Sequence, residues 1–144
     1  MPTAEQLLKH KGEKVVTVDK GASVLEAAKA MNDHRIGAVI VTSVDQAVGI
    51  FTERDILTRV VVTQRSVTET KVGDVMTSSM ACCTRATKLT ECKAVMTDKK
   101  IRHLPVVEEG KLYGIISSGD ILANEVAHQE NTIQYLSEYL YGRS

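Results

Sequence analysis

Gly49-Ile50-Phe51-Thr52-Glu53-Arg54-Asp55-Ile56-Leu57 returns as Gly114-Ile115-Ile116-Ser117-Ser118-Gly119-Asp120-Ile121-Leu122, an offset of 65 residues (114 − 49). The same offset pairs Met31 with Met96, Asp33 with Asp98, Ile36 with Ile101 and Val41 with Val106. It runs without a gap from about Thr17 to Val61. An internal repeat fixes an architecture before any single residue is interpreted. Here it implies two similar units packed about a pseudo-two-fold axis, with related clefts between them.

Within the second copy, Met80-Ala81-Cys82-Cys83 is short and apolar and reads as a strand. Leu89, Cys92, Val95 and Met96 recur at the helical spacings of three and four. That helix should end near Lys99-Lys100, where cations suit the negative end of the dipole. Leu104 to Val107 and Leu112 to Ile116 are strands joined at Glu109-Gly110. Pro105 has no N–H and belongs at a strand start or an edge. A second helix opens at Ser117 to Asp120. The first copy repeats the order: strand Val15 to Val18, helix Ser23 to about Asp33, strands Ala38 to Thr42 and Val48 to Phe51, then helix Glu53 to about Val62.

The unit is β-α-β-β-α, twice. Alternating elements of this kind give sheets with helices on one face. The expected fold is α+β (α/β-like), the two repeats packing through their sheets, plus a C-terminal helix. The chain divides into 1–66, the first repeat with a helix before it; 67–71, a linker; 72–127, the second repeat; and 128–144, the C-terminal helix. In that last segment Ile133, Leu136 and Leu140 share a helical face beside Tyr135 and Tyr139, with Gly142 as a stop signal. The face serves either packing on the chain's own module or a dimer contact, since Tyr is enriched at interfaces.

Composition narrows the classes. Eighteen cationic and eighteen acidic residues cancel, so nothing draws the chain as a whole to nucleic acid or to an anionic membrane. No run of about 18 apolar residues marks a transmembrane helix, and the first residues lack the apolar core of a signal peptide. A cytoplasmic location is expected, with a mature organellar form as the alternative. Cys82, Cys83 and Cys92 are odd in number and lack CxxC spacing, which argues against a disulfide framework. The four histidines show no paired spacing for zinc, and no Walker-type loop, H-E-x-x-H or G-x-S-x-G is present. No catalytic residue, metal or required cofactor is expected.

The repeated pattern carries the chemistry. Its glycine leaves the backbone free where the strand begins, and two apolar residues complete a buried strand. A hydroxyl, Thr52 or Ser117, stands where strand gives way to helix, and Asp55 or Asp120 follows three residues later. One reading is helix capping by the hydroxyl with a reciprocal carboxylate. The other is ligand binding: helix N-terminal amides attract phosphate, and an Asp accepts two hydrogen bonds from a ribose diol. The readings are compatible.

Val72-Gly73-Asp74-Val75-Met76-Thr77 and Ile101-Arg102-His103-Leu104-Pro105-Val106-Val107 add to the repeat. Over about residues 8–126 the chain resembles a tandem pair of cystathionine-β-synthase (CBS) domains. The resemblance implies a disk-like module, often a homodimer, that binds adenine nucleotides between the repeats. Asp55 and Asp120 would then hold ribose hydroxyls, with Thr52 and Ser117 beside them. Arg102 and His103, in the segment with Leu104 and Pro105, would face phosphate or adenine. Gly37 and Ala38 stand at the matching places of the first copy, and Arg54 is matched by Gly119. The first copy lacks the Arg-His-Leu-Pro segment, so the clefts are expected to differ, at least one of them binding nucleotide.

The expected function is a stand-alone regulatory module. Its ligand would be AMP first, with ATP, ADP, NAD(H) and S-adenosylmethionine as further possibilities, and it would signal to an unidentified protein. The alternatives are an NAD(H)-binding redox sensor or regulator of a thioredoxin-like partner, and a weak nucleotide-hydrolysing enzyme. Redox chemistry would need exposed Cys82-Cys83, whose place on a core strand argues against it.

Overall fold

The computed structural model describes residues 2–12 and 15–141, with side chains as far as residue 129. The expected face of Ile133, Leu136, Leu140, Tyr135 and Tyr139, and the stop at Gly142, lie outside the described residues. After α1 (Ala4–Lys11), β1 (Thr17–Asp19) lies parallel to β2 (Ala38–Ser43), with α2 (Val24–His34) as the crossover. β2 pairs antiparallel with β3 (Gln46–Thr52). Next come α3 (Glu53–Asp55), which continues as a π-helical stretch Ile56–Val61, and then α4 (Val72–Val75). The second copy follows with α5 (Leu89–Lys99), the hairpin β4 (His103–Glu108) and β5 (Lys111–Ser117), and α6 (Ser118–Tyr141). Both hairpin turns place two residues at positive φ: Val44 and Asp45 in one, Glu109 and Gly110 in the other. That handedness suits the twist of the strands.

Met80-Ala81-Cys82-Cys83 does not form the expected strand. It keeps one parallel bridge, Cys83 to Val106. The offset explains why. In the first copy the Ile40 amide donates to the Val16 carbonyl at 3.2 Å. Ile40 becomes Pro105, which has no proton to donate, so the matching rung to Ala81 cannot form. Pro105 sits inside β4 with its nitrogen toward this sheet edge. The bonds that do not need it persist: Cys83 N donates to Pro105 O and Val107 N to Cys83 O, each at 2.9 Å. Cys82 is consequently exposed, while Cys83 and Cys92 are buried, which corrects the expectation of a core strand carrying both vicinal thiols. The hydrogen bond with Cys92 and burial push the Cys83 thiol far up.

The helix that chain order groups with the first repeat packs on the second. Ala4, Leu7 and Leu8 of α1 enter a core with Leu89, Cys92, Met96, Leu104, Val106, Ile116 and Ile121. Ala4 N donates to Thr87 O at 2.8 Å and Leu89 N to Pro2 O at 2.9 Å. In return α4 sends Val72 and Val75 into the first copy's core, beside Val24, Met31, Phe51 and Val60. Ala4 N and Val72 N donate to Thr87 O and Ala22 O, acceptors one offset apart, so each copy closes its core with the other's leading helix. Burying Leu7 and Leu8 contributes about 1.5–3 kcal/mol each.

The exchange explains the repeated glycine. Neither Gly49 nor Gly114 has positive φ, so backbone freedom is not its reason. A Cβ on Gly114 would lie 2.6 Å from Leu8 Cδ2, and one on Gly49 would lie 2.5 Å from Met76 Sδ and 2.8 Å from Thr77 O. The lent helices press against the strands where only hydrogen fits.

Between the copies, Ala38, Ile40 and Ile50 form a third apolar cluster with Leu112, Ile115 and Met80. The repeats therefore meet through their sheets. The helix after β3 widens at Ile56–Val61, where Val62 N bonds Leu57 O at 3.0 Å, five residues back. Thr58 Oγ1 takes the Arg54 carbonyl at 2.9 Å and Thr63 Oγ1 the Arg59 carbonyl at 2.7 Å, and such back-bonding competes with the α ladder. In the second copy no Gly or Pro follows Gly119 before Tyr141. The motif helix and the C-terminal helix are accordingly one element, α6, instead of two meeting at residue 128.

Candidate functional site

Both motif hydroxyls cap helices. Thr52 Oγ1 accepts from Asp55 N at 3.2 Å, and Asp55 Oδ2 accepts from Thr52 N at 3.0 Å. Ser117 Oγ accepts from Asp120 N at 3.0 Å, and Asp120 Oδ2 from Ser117 N at 2.9 Å. Capping fixes each carboxylate at the mouth of its helix and leaves Oδ1 unused by the cap. There the copies part. Asp55 Oδ1 faces Thr77 Oγ1 at 3.5 Å and Arg59 Nε at 3.6 Å. Asp120 Oδ2 takes a second donor, Lys11 Nζ, at 2.6 Å.

A cleft of about 670 Å³ opens between the copies on the Asp55 side. From the first copy come Gly37, Thr52, Glu53, Arg54 and Asp55; from the second come Thr77, Ser79, Lys99, Lys100, Arg102, His103 and Pro105. Its volume is that of a small-molecule site. Four cations (Arg54, Lys99, Lys100, Arg102) face two carboxylates (Glu53, Asp55), so the lining favours an anion. A Cβ on Gly37 would come within 3.2 Å of Glu53 Oε1 and 3.3 Å of His103 Cε1. The cleft thus keeps its width where a side chain would narrow it. Burial holds His103 below the ordinary imidazole range; Lys11 and Arg102 push the same way, and Glu53 and Asp120 oppose them. A neutral ring at pH 7 offers one donor and one acceptor.

Seven of the expected residues therefore meet in one cleft: Gly37, Thr52, Arg54, Asp55, Arg102, His103 and Pro105. Ala38 and Leu104 point into the core and are buried. Ser117, Gly119 and Asp120 are absent from this lining and belong to the related position across the pseudo-axis. Glu53, Thr77, Lys99 and Lys100 line the cleft without having been singled out in the sequence. Lys99 and Lys100 end α5, where the sequence offered only a dipole role. Thr77 lies outside the ungapped repeat, so no offset pointed to it. A groove of about 530 Å³ adjoins, sharing Arg54, Lys100, Ile101 and Arg102 and continuing to Ser118 and Leu122.

The CBS domain family matches twice, over residues 10–62 and 72–126. The CBS domain-containing protein CBSX3, mitochondrial, of Arabidopsis thaliana is 36% identical over 125 residues, 83% of this chain and 61% of that protein. This chain thus spans somewhat less than two thirds of that relative. A solved putative signal-transduction protein with CBS domains from Burkholderia ambifaria is 39% identical with a TM-score of 0.85, covering 89% of this chain and 96% of that one. The CBS domain pair of protein MJ0100, solved in complex with 5′-methylthioadenosine and S-adenosyl-L-methionine, shares the fold at a TM-score of 0.80 and 21% identity, covering 89% of this chain and 98% of that one. The two copies of one unit, joined through their sheets, coincide with the two family matches, and the chain belongs to the CBS domain family as a tandem pair.

Proposed function

We propose that this CBS pair is a regulatory module that binds one adenine nucleotide, AMP ahead of ADP and ATP, in the Asp55 cleft. The observation that carries the reading is the meeting there of a capped carboxylate, Asp55, with four cations from both copies. The carboxylate accepts ribose hydroxyls and the cations take phosphate. The complex of the MJ0100 pair with two adenosine compounds supports an adenosine-type ligand. Regulation rather than catalysis fits two carboxylates engaged in helix caps and facing hydroxyls and cations instead of a base. Nucleotide-stripped protein titrated calorimetrically with AMP, ATP, NADH and S-adenosylmethionine tests the reading. Asp55→Asn keeps an acceptor for the cap and should weaken AMP by about 1.5–3 kcal/mol. Arg102→Ala should weaken AMP more than adenosine. Unchanged AMP binding in Asp55→Asn would refute the ribose role.

A second reading, NAD(H) binding, draws on the adjoining groove, which shares Arg54 and Arg102 with the cleft and offers room for a second nucleotide half. Tighter NADH than AMP would select it. The reading includes a homodimer. Leu57, Val61, Leu122 and Val126 are exposed large apolar residues, and the first two map onto the last two by the repeat offset. Such paired stripes suit a second copy of the chain. Among the described residues no helix is long and apolar enough to cross a membrane. A cytoplasmic location is proposed beside the mitochondrial one that the Arabidopsis relative's name gives for that protein.

A further inference from the structure

The related position around Asp120 already holds an occupant. The lent helix of the first half sets Met76 against Gly49; that of the second sets Leu8 against Gly114 and, three residues on, Lys11 against Asp120. Lys11 Nζ donates to Asp120 Oδ2 at 2.6 Å and to the Ile115 carbonyl at 2.7 Å, across more than 100 positions of chain. Lys11 ends α1, and α1 is anchored by Leu7 and Leu8 in the second core. The ammonium is therefore delivered by a fixed helix rather than by a wandering side chain. Burial would raise Asp120, but the hydrogen bonds from Lys11 and Ser117, with the Lys11 charge, hold it below the usual carboxylate range.

Among the described residues no lysine is bonded to Asp55, whose Oδ1 meets Thr77 Oγ1 at 3.5 Å. Arg59 reaches it at 3.6 Å from the next turn of the same helix. Arg59 spends Nη1 on the carbonyls of Met76 at 2.8 Å and Val75 at 3.4 Å, and Asp55 stays on the cleft lining.

We propose that Lys11 is a tethered occupant of the second nucleotide position: it supplies to Asp120 the donors a ribose diol would supply, and it limits the chain to one nucleotide. This rests on the nucleotide reading of the Asp55 cleft. A nucleoside entering on the Asp120 side has to displace an ammonium that brings a full opposite charge to the carboxylate, and its own hydroxyl donors bring none. It would also strand the ammonium beside the Ile115 carbonyl. The asymmetry between the copies thus lies in one residue of a lent helix as much as in the clefts themselves.

The test is calorimetric titration of AMP into stripped wild type, Lys11→Met, Lys11→Arg and the double variant Lys11→Met with Asp120→Ala. Methionine removes the ammonium and keeps an unbranched side chain of similar length, and circular dichroism checks the fold, with Lys11→Gln as the substitute if methionine disturbs it. The expected stoichiometries per chain are one, two, one and one. Two sites in wild type, one site in wild type and Lys11→Met alike, or a second site that survives Asp120→Ala would each overturn the proposal. One site in Lys11→Met against none in wild type would sink the Asp55 reading and keep the Lys11 occupant. No AMP binding by any variant overturns both.

Discussion

Replacing Gly49 by alanine tests the lent helix where it presses hardest. The added Cβ would sit 2.5 Å from Met76 Sδ, 3.1 Å from Met76 Cγ and 2.8 Å from Thr77 O. Met76 can swing a side chain, but Thr77 O is backbone, and it is already the acceptor for Ile50 N at 2.9 Å. Thr77 N in turn donates to Ile50 O at 2.9 Å. Relief therefore means pulling apart a bridge between the copies. Overpacking of this kind costs about 1–3 kcal/mol. For a chain of this length each kcal/mol lowers Tm by roughly 2–4 °C, giving a fall of about 2–12 °C. Thr77 also faces Asp55 at 3.5 Å, so AMP affinity should drop with stability. Urea unfolding and thermal melts measure the first, calorimetry the second. Gly119→Ala is the control: its nearest neighbour would be Ser117 Oγ at 3.6 Å, an ordinary contact, and alanine is the better helix former by up to about 1 kcal/mol. A Gly49→Ala protein within about 0.5 kcal/mol of wild type would show that the close approach is not what keeps the glycine there.

The Lys11–Asp120 pair gives a pH signature. Asp120 lies below its ordinary 3.8 in the folded chain, so its stabilisation is fully present above that value and is lost as pH falls through the folded value; urea midpoints of wild type and Lys11→Met should converge in acid, and a constant gap would contradict this. Native protein should react with a thiol reagent at Cys82 alone and at all three cysteines in concentrated urea; fast native labelling of Cys83 or Cys92 would contradict their burial. Leu57→Glu with Leu122→Glu should leave monomer stability within about 0.5 kcal/mol, since both side chains are more than half exposed. In light scattering the same variant should be monomeric where wild type is dimeric, and a monomeric wild type would remove the homodimer from the reading.

Much of the fold was readable because the offset of 65 doubles every local signal. Strand, turn and capping patterns that are weak once are strong when Thr52 and Ser117, or Met31 and Met96, agree. What escaped were effects of distant partners. Nothing local in Met80 to Cys83 says that its rung is missing; the cause is Pro105, more than 20 residues on. Leu7 and Val72 are visibly apolar, but periodicity gives a face and not the body it covers. The Asp55 cleft was readable in its motif residues and not in Glu53 or Thr77, whose roles depend on the approach of the two copies. Lys11 carries no signal of its own in the sequence, and its partner is fixed only by where α1 docks.

Because each copy closes its core with the other's leading helix, neither half carries a complete set of core residues. The two are folded as a domain-swapped pair would be, with the connection from Gln64 to Thr70 standing in for a free encounter. That connection is itself fastened, Thr70 O to Val24 N at 3.0 Å and Val67 O to Leu25 N at 2.9 Å. Its physical job is to set a high effective concentration for the second half. A chain severed there should behave as two unstable fragments that regain structure only on mixing, at a midpoint that depends on protein concentration, whereas the intact chain should unfold in one concentration-independent step.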